Sequence, residues 1–416
     1  MVMNMHTRDG NDPHDVFIYL FEPGEHLAPK DEHSPPSLIL KGQVEAMTVG
    51  ENGMFIRPGQ ITVTDLLAPG KEALAIDPFA YDFLYFSEEQ RRVRLRSNET
   101  LQGWMTMLQR DAADKPGAAA ADLVPFIILV DHGNRASLYH FDEIGYAGGL
   151  YLRFSDHESG ERPLRYSDLD AALGETRARL LRRHELFNDN SGFSRWQAEF
   201  ELERKLTFAD IPDTWRLTQE LYQRILSGSF PGFVPELGME FQVYDYESHV
   251  FEVLGPPSEA GYISFIPQSD GKMTIKRKWF VENAELRKET IIGNQAIAFE
   301  DIERHVKTMT SGGTRRLSAF RRKRFDVHME SLKTGHIFGI YFDICRIVGD
   351  EQPVMSQCEV EYCRSRTLFD LSDVYEEFEL IAAHAEAFLV EHGVRFERNL
   401  YSKLDFVRGH FLTRAA

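Results

Sequence analysis

The chain has 416 residues, of which 47 are lysine or arginine and 65 are aspartate or glutamate, giving a formal net charge of −18. A chain this acidic is not expected to bind duplex nucleic acid or anionic membrane, so an anionic ligand would need a local basic site. No apolar run approaches the roughly 20 residues of a membrane helix, and the N-terminus lacks the apolar core of a signal peptide. We therefore expect a cytoplasmic protein, and the length favours two domains.

The N-terminal half predicts a polar tail followed by a domain of its own. Residues 1–15 are rich in His and Asp and are predicted to be a disordered tail. Short β-like runs separated by turns follow, with a helix capped by Ser97 and a continuous apolar strand at Val124–Val130. We expect residues 16–190 to form an α+β domain of unassigned role, ending in a connecting helix from Ser167 to about Phe187.

An acidic stretch opens the second predicted domain, residues 191–416, directly after the turn cluster Asn188–Gly192. With the two-residue period of a strand, one face carries Glu199, Glu201, Glu203 and Lys205. Three like charges on one face of a lone exposed strand would repel one another. They are explained if that face lines a wet cavity holding a cation, because hard cations take carboxylate oxygens. A solvated strand face or an acidic helix turn accounts for the same spacing.

The rest of this domain is predicted to be mostly strands that carry charges on one face and apolar side chains on the other. The middle strands are basic, with Lys276, Lys278, Arg287, Arg322 and Arg324. The later strands are acidic, with Asp343, Glu359 and Glu361. Helices are predicted at Asp213–Ser227 and Ser372–His392, and a last strand-like piece holds Ser402 and Lys403.

Separation of the charges strand by strand predicts an antiparallel barrel with a polar interior large enough for a ligand. The basic rows would neutralise phosphate oxygens, and the acidic rows would hold a divalent cation. The alternative is a β-sandwich whose charged face meets solvent, although such a face has no reason to segregate the two signs. The cysteines, Cys345, Cys358 and Cys363, lack a usual zinc spacing and are expected to be buried thiols.

The order of these motifs resembles the CYTH domain, a family also called the triphosphate tunnel metalloenzymes. The resemblance covers residues 195–408 and rests on seven short motifs in the family's order. They are Glu201-x-Glu203-x-Lys205, Met273-Thr274-Ile275-Lys276-Arg277, Arg287-x-Glu289, Arg322-x-Arg324, the lone Asp343, Glu359-x-Glu361 and Ser402-Lys403. The long segment before the first motif departs from the family pattern and leaves the substrate open.

The resemblance implies a C-terminal eight-stranded antiparallel β-barrel, or tunnel, braced by helices, so that the whole chain is of the α+β class. It implies a metal-dependent phosphohydrolase acting on a small-molecule triphosphate or polyphosphate with Mg²⁺ or Mn²⁺. An adenylate cyclase of the same fold and a non-catalytic sensor of polyphosphate or nucleotide stay open as alternatives, and the oligomeric state is not assigned.

The site residues that the resemblance implies fall into three overlapping groups. The implied metal ligands are Glu201, Glu203, Asp343, Glu359 and Glu361. The implied substrate-binding residues are Lys205, Lys276, Lys278, Arg287, Arg322, Arg324 and Lys403. The implied catalytic residues are Glu201, Glu203, Lys205 and Asp343.

Overall fold

A computed structural model gives the structure of most of the chain. The described residues are 15–21, 39–44, 48–50, 52–57, 61–67, 70, 74–81, 84–85, 93–94, 124–131, 135–145, 148–158, 165–183, 193–280, 284–350, 352–366 and 374–415. The helix predicted after Ser97 lies outside them, as does the tail predicted at residues 1–15 except for Asp15, which already belongs to the first strand. None of the helices in these segments is long and apolar enough to cross a membrane.

The N-terminal half is a strand-rich unit built on one antiparallel sheet of nine strands. The strands are β1 (Asp15–Phe21), β2 (Ile39–Val44), β3 (Thr48–Val49), β4 (Gly53–Ile56), β5 (Ile61–Leu67), β6 (Leu74–Tyr81), β9 (Val124–Asp131), β10 (Arg135–Gly145) and β11 (Gly148–Glu158), with a separate pair β7 (Leu84–Tyr85) and β8 (Val93–Arg94). Their order in the sheet is β3-β4-β11-β10-β9-β1-β2-β5-β6. The predicted apolar strand is confirmed as β9, which pairs with β10.

Helix α1 (Tyr166–Arg183) covers one face of this sheet. Its Leu169 and Leu173 pack in one buried cluster with Leu129 of β9 and Leu138 of β10. The predicted connecting helix is therefore confirmed, but it belongs to the core of the N-terminal half. The boundary near residue 190 stays a prediction.

The C-terminal half is a closed antiparallel barrel of eight strands, as predicted. The strands of this half are β12 (Phe193–Ser194), β13 (Phe200–Phe208), β14 (Phe233–Pro235), β15 (Phe241–Val253), β16 (Gly261–Pro267), β17 (Met273–Trp279), β18 (Leu286–Gln295), β19 (Thr314–Arg316), β20 (Phe320–Ser331), β21 (His336–Ile347), β22 (Val354–Arg366) and β23 (Phe396–Asn399). The barrel runs β13-β22-β21-β20-β15-β16-β17-β18, and β18 pairs again with β13.

Helices brace the outside of the barrel. They are α2 (Thr214–Leu226), α3 (Ile302–Met309), α4 (Tyr375–Glu391) and α5 (Lys403–Ala415), with short 3₁₀ turns at Pro257–Glu259 and Phe299–Asp301. Asp213 caps α2, because its carboxylate accepts a hydrogen bond from the backbone N–H of Arg216. The outer faces of the strands pack against α2 and α4 through a single buried apolar cluster, which includes Leu206, Phe342 and Phe378.

The charged faces of the strands therefore turn inward. On β13, Leu202 and Leu206 belong to the outer apolar cluster, so the alternating residues Glu201, Glu203 and Lys205 face the interior. Because the helices cover the apolar faces, the barrel interior is the place left for these charges.

Two predictions at the ends of elements are wrong. Glu199 does not share the inward face of β13, since it lies in the preceding turn with φ of 62° and pairs with Lys288 in solvent. Ser402 and Lys403 do not form a strand but begin α5. The hydroxyl of Ser402 accepts from the Asp405 N–H, and the Asp405 carboxylate accepts from the Ser402 N–H, which is a reciprocal cap for this helix.

The N-terminal sheet contacts the barrel at the turn between β20 and β21. Phe55 and Leu150 of the sheet share a buried cluster with Val234 and Leu332 of the barrel half. The backbone N–H of Asn52 also donates to the carbonyl of Leu332 over 3.1 Å. The two halves are thus joined by apolar burial and by backbone hydrogen bonds.

Candidate functional site

The barrel interior holds a charged cavity of about 490 Å³, a volume that includes space open to solvent. Seven cationic side chains line it, and all were predicted: Lys205, Lys276, Lys278, Arg287, Arg322, Arg324 and Lys403. Three of the five predicted carboxylates line it as well: Glu201, Glu203 and Glu359. Residues that are far apart in the sequence of the C-terminal half thus line one cavity.

One group of ion pairs is centred on the carboxylates of β13. Lys278 donates to Glu201, and its ammonium lies 3.7 Å from Glu203 and 3.0 Å from Glu289. Lys205 donates to Glu203, which also accepts from Arg287 over 3.3 Å. All six of these side chains are buried, so their charges compensate one another with little help from water.

A second group is centred on Asp343 and Glu359. Arg322 donates to Asp343 over 2.8 Å and to Glu359 over 2.8 Å, and Arg324 donates to the same two carboxylates over 3.1 and 2.7 Å. The ammonium of Lys403 lies 3.0 Å from Asp343 and donates to Glu359. Both predicted carboxylates are therefore the anchors that hold three cations in the cavity.

The ion pairs keep most of these carboxylates ionised. Burial alone would raise the pKa of Asp343, but Arg322, Lys403 and Arg324 hold it well below its usual range. Burial and the nearby Glu359 would likewise raise the pKa of Glu203, yet its cationic neighbours lower it to about 2. The site at neutral pH is thus a dense array of opposite charges.

Glu361 is the exception among the predicted carboxylates. It is half-buried on β22, and within the described part of the chain it forms no ion pair. Burial, then Glu201 and Glu203, raise the pKa of Glu361 to about 8, while Lys276 and Arg324 only partly oppose this shift. Burial also raises the pKa of Glu201, helped by Glu203 and Glu289. Glu201 and Glu203 line the cavity, whereas Glu361 lies opposite Glu203 on the neighbouring strand β22 and is not one of the lining residues.

Two residues of the site were not assigned to it from the sequence. Glu289 pairs with Lys276 and Lys278, each over 3.0 Å. The sequence feature that could have identified it is its position two residues after Arg287, on the same strand face. The hydroxyl of Tyr246 accepts from Arg322 over 3.1 Å. The sequence feature that could have identified Tyr246 is the alternation of β15, which places every second residue inside the barrel.

No metal group is formed by the side chains as they stand. Among the described residues, no group of three or more His, Cys, Asp or Glu is placed to hold a metal ion. The paired carboxylates instead face lysines and arginines. Cys345, Cys358 and Cys363 are free and buried, as predicted.

Comparison with family models and with curated proteins finds no match. Among solved structures, the chain is similar to the S. pombe Pct1 RNA triphosphatase in complex with the Spt5 CTD, at 13% identity and a TM-score of 0.24, over 47% of this chain and 81% of that one. A second structure of S. pombe Pct1 RNA triphosphatase matches at 13% identity and a TM-score of 0.22, over 47% and 80% of the two chains. Likeness at this level supports no inference about this chain, so the interpretation depends on its own residues.

Proposed function

We propose that the barrel binds the phosphates of a triphosphate and hydrolyses its terminal anhydride bond with the help of a divalent cation. The observation that supports this is the set of seven cationic side chains that line one cavity in a chain with net charge −18. Long-range electrostatics opposes an anionic ligand here, so affinity has to come from these local cations. A small polyanion of high charge density matches them best.

The cations are already held in place for such a ligand. Arg322 and Arg324 are fixed by Asp343 and Glu359, so that each guanidinium keeps its geometry without a ligand. Guanidinium groups bind phosphate oxygens through paired N–H donors. Each well-formed charge-assisted hydrogen bond is worth about 1.5–3 kcal/mol. Three or four such contacts would support tight binding of a triphosphate.

Three of the predicted carboxylates match Mg²⁺ or Mn²⁺ in the chemistry of their donor atoms. Glu201, Glu203 and Glu361 supply only carboxylate oxygens, which these hard cations prefer. Burial first, and then Glu201 and Glu203, raise the pKa of Glu361, which forms no ion pair within the described residues. These three residues would hold the cation, which when bound would neutralise phosphate charge and activate water.

Hydrolysis of the anhydride bond depends more on positioning the phosphates and neutralising their charge than on covalent catalysis by the protein. Water attacks the terminal phosphorus and loses a proton to the surrounding water. The bond from that phosphorus to the bridging oxygen breaks, and the diphosphate part leaves with the electron pair. Arg322, Arg324 and Lys403 neutralise the charge that builds on the phosphate oxygens. Lys276 and Lys278 hold the remaining phosphates beside β17.

A sensor that binds the triphosphate without cleaving it is the second candidate. The ion pairing of the carboxylates favours it, because ligand binding alone needs no metal group. The contact between the N-terminal sheet and the barrel would allow ligand binding in such a sensor to change the conformation of the N-terminal half.

Phosphate release and thermal stabilisation distinguish these functions. The protein is incubated with inorganic triphosphate and with nucleoside triphosphates, with Mg²⁺, with Mn²⁺ and with a chelator. We expect metal-dependent release of phosphate, its loss in Lys278→Met, and its retention in Lys272→Met, which changes an exposed lysine in a turn. Stabilisation without release, or with a cyclic nucleotide as product, would replace hydrolysis by sensing or cyclisation. Neither stabilisation nor release would overturn the proposal.

A further inference from the structure

Arg324 differs from its neighbour Arg322 in how the nitrogen atoms of its guanidinium group are used. All three guanidinium nitrogens of Arg322 donate hydrogen bonds to side chains of the barrel. Arg324 donates through Nε to Asp343 and through Nη2 to Glu359, whereas its Nη1 has no hydrogen-bond partner among the described residues. Nη1 of Arg324 therefore keeps two N–H donors for a ligand, and their direction depends on the orientation of the guanidinium group.

The guanidinium group of Arg324 lies over the ring of Tyr341. Tyr341 is buried on β21, and Cζ of Arg324 is 3.8 Å from the centre of its ring, which is direct van der Waals contact. In the other contacts between a cation and an aromatic ring among the described residues, this distance is 4.8 Å or more. An aromatic face attracts a guanidinium group and stacks on it. The ring thus supports Arg324 on one side, in addition to the two carboxylates that hold its nitrogens.

The Tyr341 ring is itself held by its neighbours. Its hydroxyl lies 3.1 Å from Sγ of Cys363, and His328 packs edge-on with the ring centres 5.7 Å apart and the planes at 81°. The ring also lies over Gly339, two residues earlier on the same face of β21. A Cβ added to Gly339 would lie 2.9 Å from Cε1 of Tyr341 and closer still to Cζ and Oη. Only a residue without a side chain leaves this space for the ring.

We propose that Tyr341 is a positioning residue of the phosphate site: its ring sets the orientation of the Arg324 guanidinium, so that Nη1 is presented to a bound phosphate. This inference rests on the proposed function, because it assigns a part in phosphate binding to a side chain that does not line the cavity. Tyr341 acts through Arg324 and does not contact the ligand. Without the ring the guanidinium would be free to turn, and ligand binding would have to order it.

Calorimetric titration with Mg²⁺ tests the proposal on wild type, Tyr341→Leu, Tyr341→Phe and Gly339→Ala. The ligand is imidotriphosphate, an analogue of inorganic triphosphate whose bridging NH groups resist hydrolysis. We expect Tyr341→Leu to weaken binding roughly tenfold, because a desolvated contact between cation and ring is lost. Tyr341→Phe keeps the ring and should bind as wild type does. Gly339→Ala displaces the ring without altering Tyr341 itself and should weaken binding to a similar extent.

Two controls separate this effect from a general loss of stability. Gly409→Ala adds a Cβ that meets no atom within 4 Å, so it should leave the affinity unchanged. Tyr362→Leu removes a buried tyrosine that belongs to the outer apolar cluster of the barrel. It should lower the unfolding temperature and leave the affinity unchanged, since it does not contact Arg324.

A double-mutant cycle with Arg324→Ala shows whether Tyr341 acts through Arg324. Arg324→Ala should weaken binding tenfold or more, because it removes a phosphate contact. Adding Tyr341→Leu to Arg324→Ala should then change the affinity no further. A purely structural role of Tyr341 predicts instead that the two losses add.

The results distinguish failure of this inference from failure of the proposed function. If Arg324→Ala weakens binding while Tyr341→Leu and Gly339→Ala do not, or if the two losses in the cycle add, the role of Tyr341 is wrong and the phosphate site stands. If Arg324→Ala leaves binding unchanged, the phosphate site itself is wrong. If Tyr341→Leu does not fold, Gly339→Ala, alone and combined with Arg324→Ala, decides by the same comparison.

Discussion

Glu203 on β13 and Glu361 on β22 are directly opposite each other at the seam where the barrel closes. Like charges in this position destabilise a sheet. Glu203 is compensated by Lys205 and Arg287, but within the described residues Glu361 has no such partner. The barrel thus closes on a carboxylate that burial and its acidic neighbours make hard to ionise, although Lys276 and Arg324 partly oppose this.

Glu361→Gln should therefore separate metal binding from folding. In chelator at pH 8 we expect its unfolding temperature to rise by a few degrees, because repulsion from Glu203 and Glu201 is removed. Mg²⁺ or Mn²⁺ should raise the unfolding temperature of wild type but not of the variant. Metal-dependent phosphate release should fall tenfold or more. Glu397→Gln, on the exposed part of β23, is the control. Equal stabilisation of wild type and Glu361→Gln by metal would contradict this role.

Asp343 should be essential to the fold as well as to the site. It is fully buried and contacts Arg322, Arg324 and Lys403. Asp343→Asn leaves these buried cations with too little negative charge, and breaking a buried pair costs about 3–5 kcal/mol. Because a polyanion restores the balance, inorganic triphosphate should stabilise this variant more than wild type. Urea unfolding with and without triphosphate measures both effects. Asp270→Asn, in an exposed turn, should show neither.

The barrel and its inward residues could be predicted because alternation is a local property of each strand. The period of two places Glu201, Lys276, Arg324 and Asp343 on inner faces whatever the neighbouring strands are. The partner of each charge could not be predicted, since it depends on which strands meet and in what register. The error at Glu199 has the same origin, because a residue with positive φ ends the alternation and the sequence pattern does not show this. The buried apolar cluster that includes Val250, Ile347 and Leu404 was not predicted, because its residues come from several elements.

Arg204 and Lys205 are neighbours in sequence that should have opposite roles. Arg204 points outward, where it is buried against Phe378 and pairs with Glu285 and Glu379. Lys205 lines the cavity. We expect Arg204→Met to lower the free energy of unfolding by ~1–3 kcal/mol without changing triphosphate affinity. Lys205→Met should weaken triphosphate binding roughly tenfold. Reversed effects on affinity would mean that the strand faces are assigned wrongly.

A buried ionic group outside the cavity should make the stability of the protein depend on pH. Glu330 on β20 accepts from Arg366, which lies 2.6 Å from Asp142 of the N-terminal sheet. Burial raises the pKa of Glu330 to about 7 even though Arg366 opposes the shift, and Asp142 and Glu236 add to it. Burial also raises the pKa of Asp142. The contact between the two halves therefore favours protonated carboxylates.

The sign of the effect follows from the raised pKa of Glu330. Below the ordinary pKa of a glutamate, near 4.5, the Glu330 carboxyl is protonated in both the folded and the unfolded chain. The free energy of unfolding is then not reduced by ionisation of Glu330. Between pH 4.5 and 7 the unfolded chain releases this proton first, so the free energy of unfolding should fall by up to ~3 kcal/mol. Glu330→Gln cannot ionise and should be more stable than wild type at pH 8, with the difference vanishing near pH 4.5. Urea unfolding from pH 4.5 to 8 checks this, with Glu397→Gln as the exposed control. A constant difference between wild type and Glu330→Gln across that range would show that Glu330 stays ionised in the fold.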